Sequence, residues 1–188
     1  MIRRIRSTAV LVGSIFALFA LAAQAAPLPT FTPAPSGGGN VLSNQSYPIT
    51  ACFDNLSPTD PGYAPTLQVV VPAGSTLSSA TYLGNAQTVQ TIGTCAVVAG
   101  CPTGFVNLDT GATVPLAQNE TLAIVRYSLG SFSPTQPPAC AVMSFALGNA
   151  TVAPLELTRF VKLTPIFALG ADPLDDPATD PAVSGSTV

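Results

Sequence analysis

Asp109-Thr110-Gly111-Ala112 is the stretch of this 188-residue chain best suited to chemistry. A carboxylate on a tight turn can share a proton with a second carboxylate and activate water. Phe105-Val106-Asn107-Leu108 leads into the turn, and Leu169-Gly170-Ala171 supplies a later apolar, glycine-containing segment. Asp-Thr-Gly is also a natural hairpin turn, with Asp and Gly in their usual turn roles. No flap sequence accompanies it, so the turn reading is preferred and an enzyme is not expected. A second cluster, Asp172, Asp175, Asp176 and Asp180, offers carboxylates of the type that bind Ca²⁺, a cation taking about six to eight oxygens. The order of an EF-hand loop is missing and three prolines restrict wrapping, so a solvated acidic linker is preferred over calcium binding. Lys162 raises the idea of a Lys–Asn isopeptide bond, against the plainer reading of a surface lysine with its stem laid on apolar neighbours. Asn44, Asn55, Asn119 and Asn149 match the N-x-[ST] acceptor pattern, which matters only in a eukaryotic source.

Composition excludes much else. The chain has no His, which removes Ser-His and Cys-His catalysis and histidine metal ligation. Charged residues make up 8 %, where a typical domain has about 25 %. Six basic residues against nine acidic ones argue against electrostatic binding of nucleic acid. Hydrophobic residues make up 47 %, enough for a real core.

Half of the basic charge belongs to the first residues. Arg3, Arg4 and Arg6 precede the apolar run Ala9–Ala22, and Ala23-Gln24-Ala25 closes it with small residues. This is the pattern of a secretory signal peptide, residues 1–25, cleaved after Ala25 or Ala26. The mature chain then keeps Arg126, Arg159 and Lys162 as its cations, and its remaining apolar runs are too short to span a membrane. Cys52, Cys95, Cys101 and Cys140 are an even set, which in an exported chain reads as disulfides. Cys95 and Cys101 are close enough to pair across a turn at Gly100, which leaves Cys52 with Cys140. The spacing lacks the paired C-x-x-C of a zinc ribbon.

The elements that must position these residues read as strands. Residues 26–40 are rich in Pro and Gly and read as a flexible or extended leader outside the core; residues 41–169 read as the domain; residues 170–188, acidic and spaced by prolines, read as a linker or tail. Short apolar-alternating runs separated by turn residues predict an all-β antiparallel sandwich of about seven to nine strands. The expected strands are Tyr47–Asp54, Thr66–Val71, Leu77–Leu83, Gln87–Thr94, Thr121–Leu129, Ala139–Leu147, and Leu155–Leu169 broken at Pro165. Ile49, Ala51 and Phe53 share one face of the first; Ala141, Met143, Phe145 and Leu147 share one face of the sixth. Cys52 and Cys140 lie opposite these apolar rows. That parity predicts neighbouring strands of one sheet, bridged on its outer face.

Asp109-Thr110-Gly111-Ala112 resembles the turn of retroviral-type aspartic proteases, which dimerise to supply the second Asp; this would make Asp109 catalytic. A longer likeness runs over Ser46–Leu163. Leu67-Gln68-Val69-Val70-Val71-Pro72-Ala73-Gly74 followed by Ser75–Thr81, and Leu129-Gly130-Ser131-Phe132-Ser133-Pro134 before the strand at Ala139, resemble the bacterial conserved-repeat domains (domain of unknown function eleven). Cys52-Phe53-Asp54-Asn55 and Gly62-Tyr63-Ala64-Pro65 are also similar to segments of that family. The resemblance implies an immunoglobulin-like module of large secreted or cell-surface proteins. It implies a structural or adhesive role, with other surface proteins or further modules as partners, and neither catalytic residues nor a cofactor. The chain departs from the pattern in its four cysteines and in an insertion at Gln90–Val114. It is expected to be either a free-standing domain or the first module of a longer chain, and the acidic tail suits the second.

Overall fold

Alternation of small or branched apolar residues with Thr, Ser and Gln gives most segments one face for a core and one for water. The computed structural model describes residues 26–148, 159–175 and 182–188. Its strands are β1 (Pro29–Phe31), β2 (Ser36–Gly37), β3 (Ser46–Asn55), β4 (Gly62–Tyr63), β5 (Pro65–Val71), β6 (Ser75–Tyr82), β7 (Asn85–Ala86), β8 (Thr88–Thr94), β9 (Cys101–Val106), β10 (Thr113–Leu116), β11 (Thr121–Arg126), β12 (Ser131–Phe132), β13 (Ala139–Leu147), β14 (Lys162–Phe167) and β15 (Val183–Ser184).

They form a β-sandwich. One sheet runs β1-β3-β13-β6-β7, with β2 also on β3; the other runs β15-β14-β5-β11-β8. The pairs are antiparallel. The first sheet presents Ala51, Phe53, Ala80, Ala141, Met143 and Phe145 inward, and the second presents Leu67, Val69, Ala123, Val125, Leu163 and Phe167. Phe53 stands at the centre, edge-on to Tyr127, Phe132 and Phe167 at ring separations of 5.7, 5.6 and 5.1 Å. Edge-to-face packing places positive ring edges on negative ring faces, a gain beyond area burial alone. Gly62 is required by the same cluster, because a Cβ there would overlap the Phe167 ring.

Cys52 and Cys140 are directly opposite on β3 and β13, with Cα atoms 3.7 Å apart, and are joined by a disulfide. The carbonyl of Cys52 accepts from Thr32 N on its other side, so the two cysteines form a non-hydrogen-bonded pair, the closer of the two antiparallel pairings. Their side chains lie opposite the buried Ala51 and Phe53, on the outer face.

Three expectations need correction. The strand ending in the Phe167 region is not broken at Pro165, which sits inside β14 opposite Leu67. Pro165 O accepts from Gly185 N at 2.9 Å, so its missing N–H points toward the chain end and not toward β5. The remaining part of that expected strand, 155–158, lies outside the described residues. The leader 26–40 contributes β1 and β2. Leu28 N donates to Asn55 Oδ1, and Thr32 N to Cys52 O, while prolines are tolerated because these strands are at an edge. The tail 170–188 contributes β15, and Leu163 and Val188 exchange both backbone hydrogen bonds, at 2.9 and 3.0 Å. Gly185 meets Pro29 O so closely that a Cβ would not fit. Both segments therefore close one side of the sandwich.

Candidate functional site

The segment read as an insertion builds the site. It contributes β9 and β10, a hairpin laid over the outer face of the β5–β11 sheet. Phe105, Val114 and Leu116 pack with Cys95 and Cys101 against Val70, Leu122 and Ile92, a second and smaller core. Gly93 leaves room for the Phe105 ring, and Gly104 takes φ +64 where a side chain would overlap Val114. The Cys95–Cys101 disulfide, with Cα atoms 5.8 Å apart, ties the base of the hairpin to the end of β8.

The Asp-Thr-Gly sequence forms the tip of this hairpin. Val106 pairs with Thr113, and the loop Asn107–Ala112 is closed by Asn107 N donating to Ala112 O at 2.8 Å. Thr110 N and Gly111 N both donate to Asn107 O, and Gly111 has φ +66, a conformation glycine adopts without steric cost. Asn107 is fully buried. Its Oδ1 accepts from Asp109 N at 2.9 Å and its Nδ2 donates to Gln68 Oε1 at 2.8 Å, which fastens the tip to β5.

The turn delivers Asp109 onto Arg126. Asp109 Oδ1 accepts from Arg126 Nη2, and Arg126 Nη1 donates to Gln90 Oε1 at 2.6 Å. The Asp109 side chain is 10 % exposed and that of Arg126 36 %. Beside the pair is an open cleft of about 240 Å³, bordered by Ala64, Pro65, Thr66, Asp109, Arg126, Tyr127, Leu129, Ala168 and Leu169. Asp109 Oδ2 and Thr66 Oγ1 are buried without a hydrogen-bond partner, and both residues border this cleft. Asp109 is the one carboxylate in its lining, so the charge facing it is a guanidinium and not a second acid. Leu169, from the later glycine-containing segment, borders the same cleft.

The other sequence candidates are elsewhere. Asp172 and Asp175 are on the surface or near it, and Asp172 Oδ1 accepts from Leu174 N in a local turn. Asp176 and Asp180 lie outside the described residues. Among the described residues, no group of three or more His, Cys, Asp or Glu side chains is arranged to hold a metal ion. Lys162 is half-exposed and donates to Glu120 Oε1 at 3.2 Å. Asn44 and Asn119 are exposed in left-handed turns, whereas Asn149 lies outside the described residues. Asn55 is buried and fully engaged: Nδ2 donates to Asp60 O and Phe132 O, and Oδ1 accepts from Leu28 N and Ser57 N. This amide is a structural clamp between the leader, β3 and β12.

Thr66, Gln68, Gln90, Asn107 and Arg126 are the members of the site that sequence reasoning missed. Their signal is parity: Thr66 and Gln68 occupy the outer face of β5, where a strand with a solvated outer face would place Thr and Gln anyway. No protein-family model matches the chain, and no curated protein matches it. No helix among the described residues is long and apolar enough to cross a membrane.

Proposed function

We propose that this protein is an exported, non-enzymatic structural or adhesive module of a bacterial surface, immunoglobulin-like and related to the conserved-repeat domains its sequence resembles. The observation that carries this reading is the pair of disulfides on a sandwich with very few charges. Cys52–Cys140 spans 88 residues of sequence and Cys95–Cys101 spans 6, and such bonds persist in oxidising compartments. The signal-peptide pattern of residues 1–25 points the same way. Asp109 supports a binding role better than a catalytic one, since its turn docks it on Arg126 inside a fold held by apolar burial. Further modules of the same chain or other envelope proteins are the partners this reading implies.

The test is expression of the full precursor in a bacterial host, followed by fractionation and non-reduced peptide mass spectrometry. The expected product begins at Ala26 or Pro27, lies outside the cytoplasm and yields Cys52–Cys140 and Cys95–Cys101 peptides. A full-length precursor kept in the cytoplasm with four free thiols would refute the reading.

A further inference from the structure

We infer that the outer edge of β14 is a strand-acceptor site through which copies of this chain exchange residues 182–188. Exchange between purified molecules is independent of export and adhesion. The connection between β14 and β15 is longer than their pairing needs. Phe167 pairs with Val183, and the two strands are antiparallel. About two to five residues would close such a hairpin, whereas residues 168–182 lie between these two. The chain stays on the body as far as Gly170, whose carbonyl accepts from Tyr63 N at 3.1 Å. Residues 171–182, at about 3.3–3.6 Å each when extended, reach about 40 Å. That is several times the roughly 10 Å between packed sheets, so a neighbouring molecule is within reach.

The segment is held by its backbone and by one hydroxyl pair. Leu163 and Val188 exchange both backbone hydrogen bonds, and Gly185 N donates to Pro165 O at 2.9 Å. Pro165 has no N–H to return. Thr164 Oγ1 and Thr187 Oγ1 are 2.8 Å apart. Ser184, Ser186, Thr187 and Val188 are exposed, and Val183 and Gly185 are half-buried, so none of these residues is fully buried. Apolar burial, the main force that holds a strand in a sandwich, contributes little here. A strand held in this way opens at low free energy. Opening leaves Leu163 N, Leu163 O and Pro165 O unpaired, an edge that pairs again with a strand that fits.

The fit selects the occupant. Position 185 must be glycine, because a Cβ there would collide with Pro29 O and the Pro165 ring. Two residues further on, a hydroxyl meets that of Thr164. A foreign strand with a side chain at the first of these positions is excluded, whereas residues 182–188 of a second copy meet both demands by identity. Their contacts with β14 are the same whichever chain supplies them, so contact energy favours neither source. Concentration sets the balance, since a short tether holds its own strand at an effective concentration of about millimolar. Each copy donates one strand and accepts one. Exchange therefore closes two copies into a dimer or links copies in an open row.

The Thr164–Thr187 contact supplies the test. Thr164→Cys and Thr187→Cys are made in separate chains, one of them isotope-labelled, and also together in one chain. Under mild oxidation the double variant should close a bond within one chain, which reports that the strand is seated. The mixed single variants should form a covalent dimer joined through the two different positions, identified by peptide mass. A tenfold dilution should slow that dimer about tenfold and leave closure of the double variant unchanged. A mixture without this dimer, beside a double variant that closes, would overturn the inference. Dimers joined only through the same position in both chains report collision and would overturn it too. A double variant that stays open would overturn the seating itself. A second measurement needs no new cysteine. Gly185→Ala should unseat the chain's own strand, and a synthetic peptide of residues 182–188 should then give saturable amide NMR shifts at Leu163, Thr164, Ile166 and Phe167. The same peptide with Ala in place of its glycine should give none. No saturable shifts with the first peptide, or equal binding of both, would overturn the acceptor site.

Discussion

The outer faces of the two sheets are finished in opposite ways. On the β3–β13–β6 sheet, Thr50, Val142, Ser144, Thr81 and Ser79 face outward, and the cross-strand Cys52–Cys140 bond is set among them. On the β5–β11 sheet, Val70 and Leu122 face outward and would be stranded in water, so the β9–β10 hairpin covers them. The first face needs no lid because its Ser and Thr hydroxyls tolerate solvent and Val142 is the one apolar side chain among these residues. The second carries a lid, and where the lid ends the buried polar residues Asn107 and Asp109 have been brought down onto Gln68 and Arg126. The candidate site exists because a face was covered incompletely.

The largest expected effect separates the two disulfides. In the chain-entropy model, removing Cys52–Cys140 as a double Ala variant should cost about 4–5 kcal/mol, whereas removing Cys95–Cys101 should cost about 2 kcal/mol. Urea unfolding of the two oxidised variants against the parent measures both. Equal losses would mean that the hairpin and the sandwich share one constraint and do not differ in how they are held.

The clamp at Asn55 comes next. Asn55→Ala leaves Leu28 N, Ser57 N, Asp60 O and Phe132 O short of partners, a loss of about 3 kcal/mol or more after partial rescue by water. Asn107→Ala removes two side-chain bonds at the hairpin tip and should cost about half of that. Thermal unfolding of the pair ranks them, and a larger loss at Asn107 would reverse the proposed order of dependence.

The smallest effect near neutral pH belongs to the sandwich interior alone. Burial pushes the Tyr127 hydroxyl well above its ordinary 10.0, with the nearby Tyr82 adding to the rise. The unfolded chain therefore loses this proton first. Stability is unaffected below pH 10 and falls by about 1.4 kcal/mol per pH unit above it. Tyr127→Phe should flatten that alkaline slope while leaving the hairpin's own stability alone. An unchanged slope in denaturant titrations at pH 9 to 11 would remove Tyr127 as its source.

How much of this was legible follows the same division. Alternation at Ile49-Ala51-Phe53 and Ala141-Met143-Phe145 identifies core faces, because period two has only two phases and one of them is apolar. The same parity puts Cys52 and Cys140 on one outer face. The leader and tail were misread because composition reports local stiffness and charge, whereas Pro29 lies in the edge strand β1, where no ladder N–H is needed, and the end of the tail pairs with β14. The hairpin was hidden for a related reason. Cys101–Val106 and Thr113–Leu116 contain Pro, Gly and exposed Thr, and they become strands by pairing with each other over Val70 and Leu122. Asp109 was legible as a turn residue. Its partner Arg126, 17 residues further on, was not, since that contact depends on where the hairpin folds back.

Native-state hydrogen exchange tests the central claim, that the β9–β10 hairpin is a lid laid on a self-sufficient sandwich, most directly. Amides of β9, β10 and the Asn107–Ala112 loop should exchange through a sub-global opening, at a lower free energy than the amides between β3 and β13. Hairpin and sandwich amides exchanging at one common free energy would contradict it, because lid and sandwich would then unfold as a single unit.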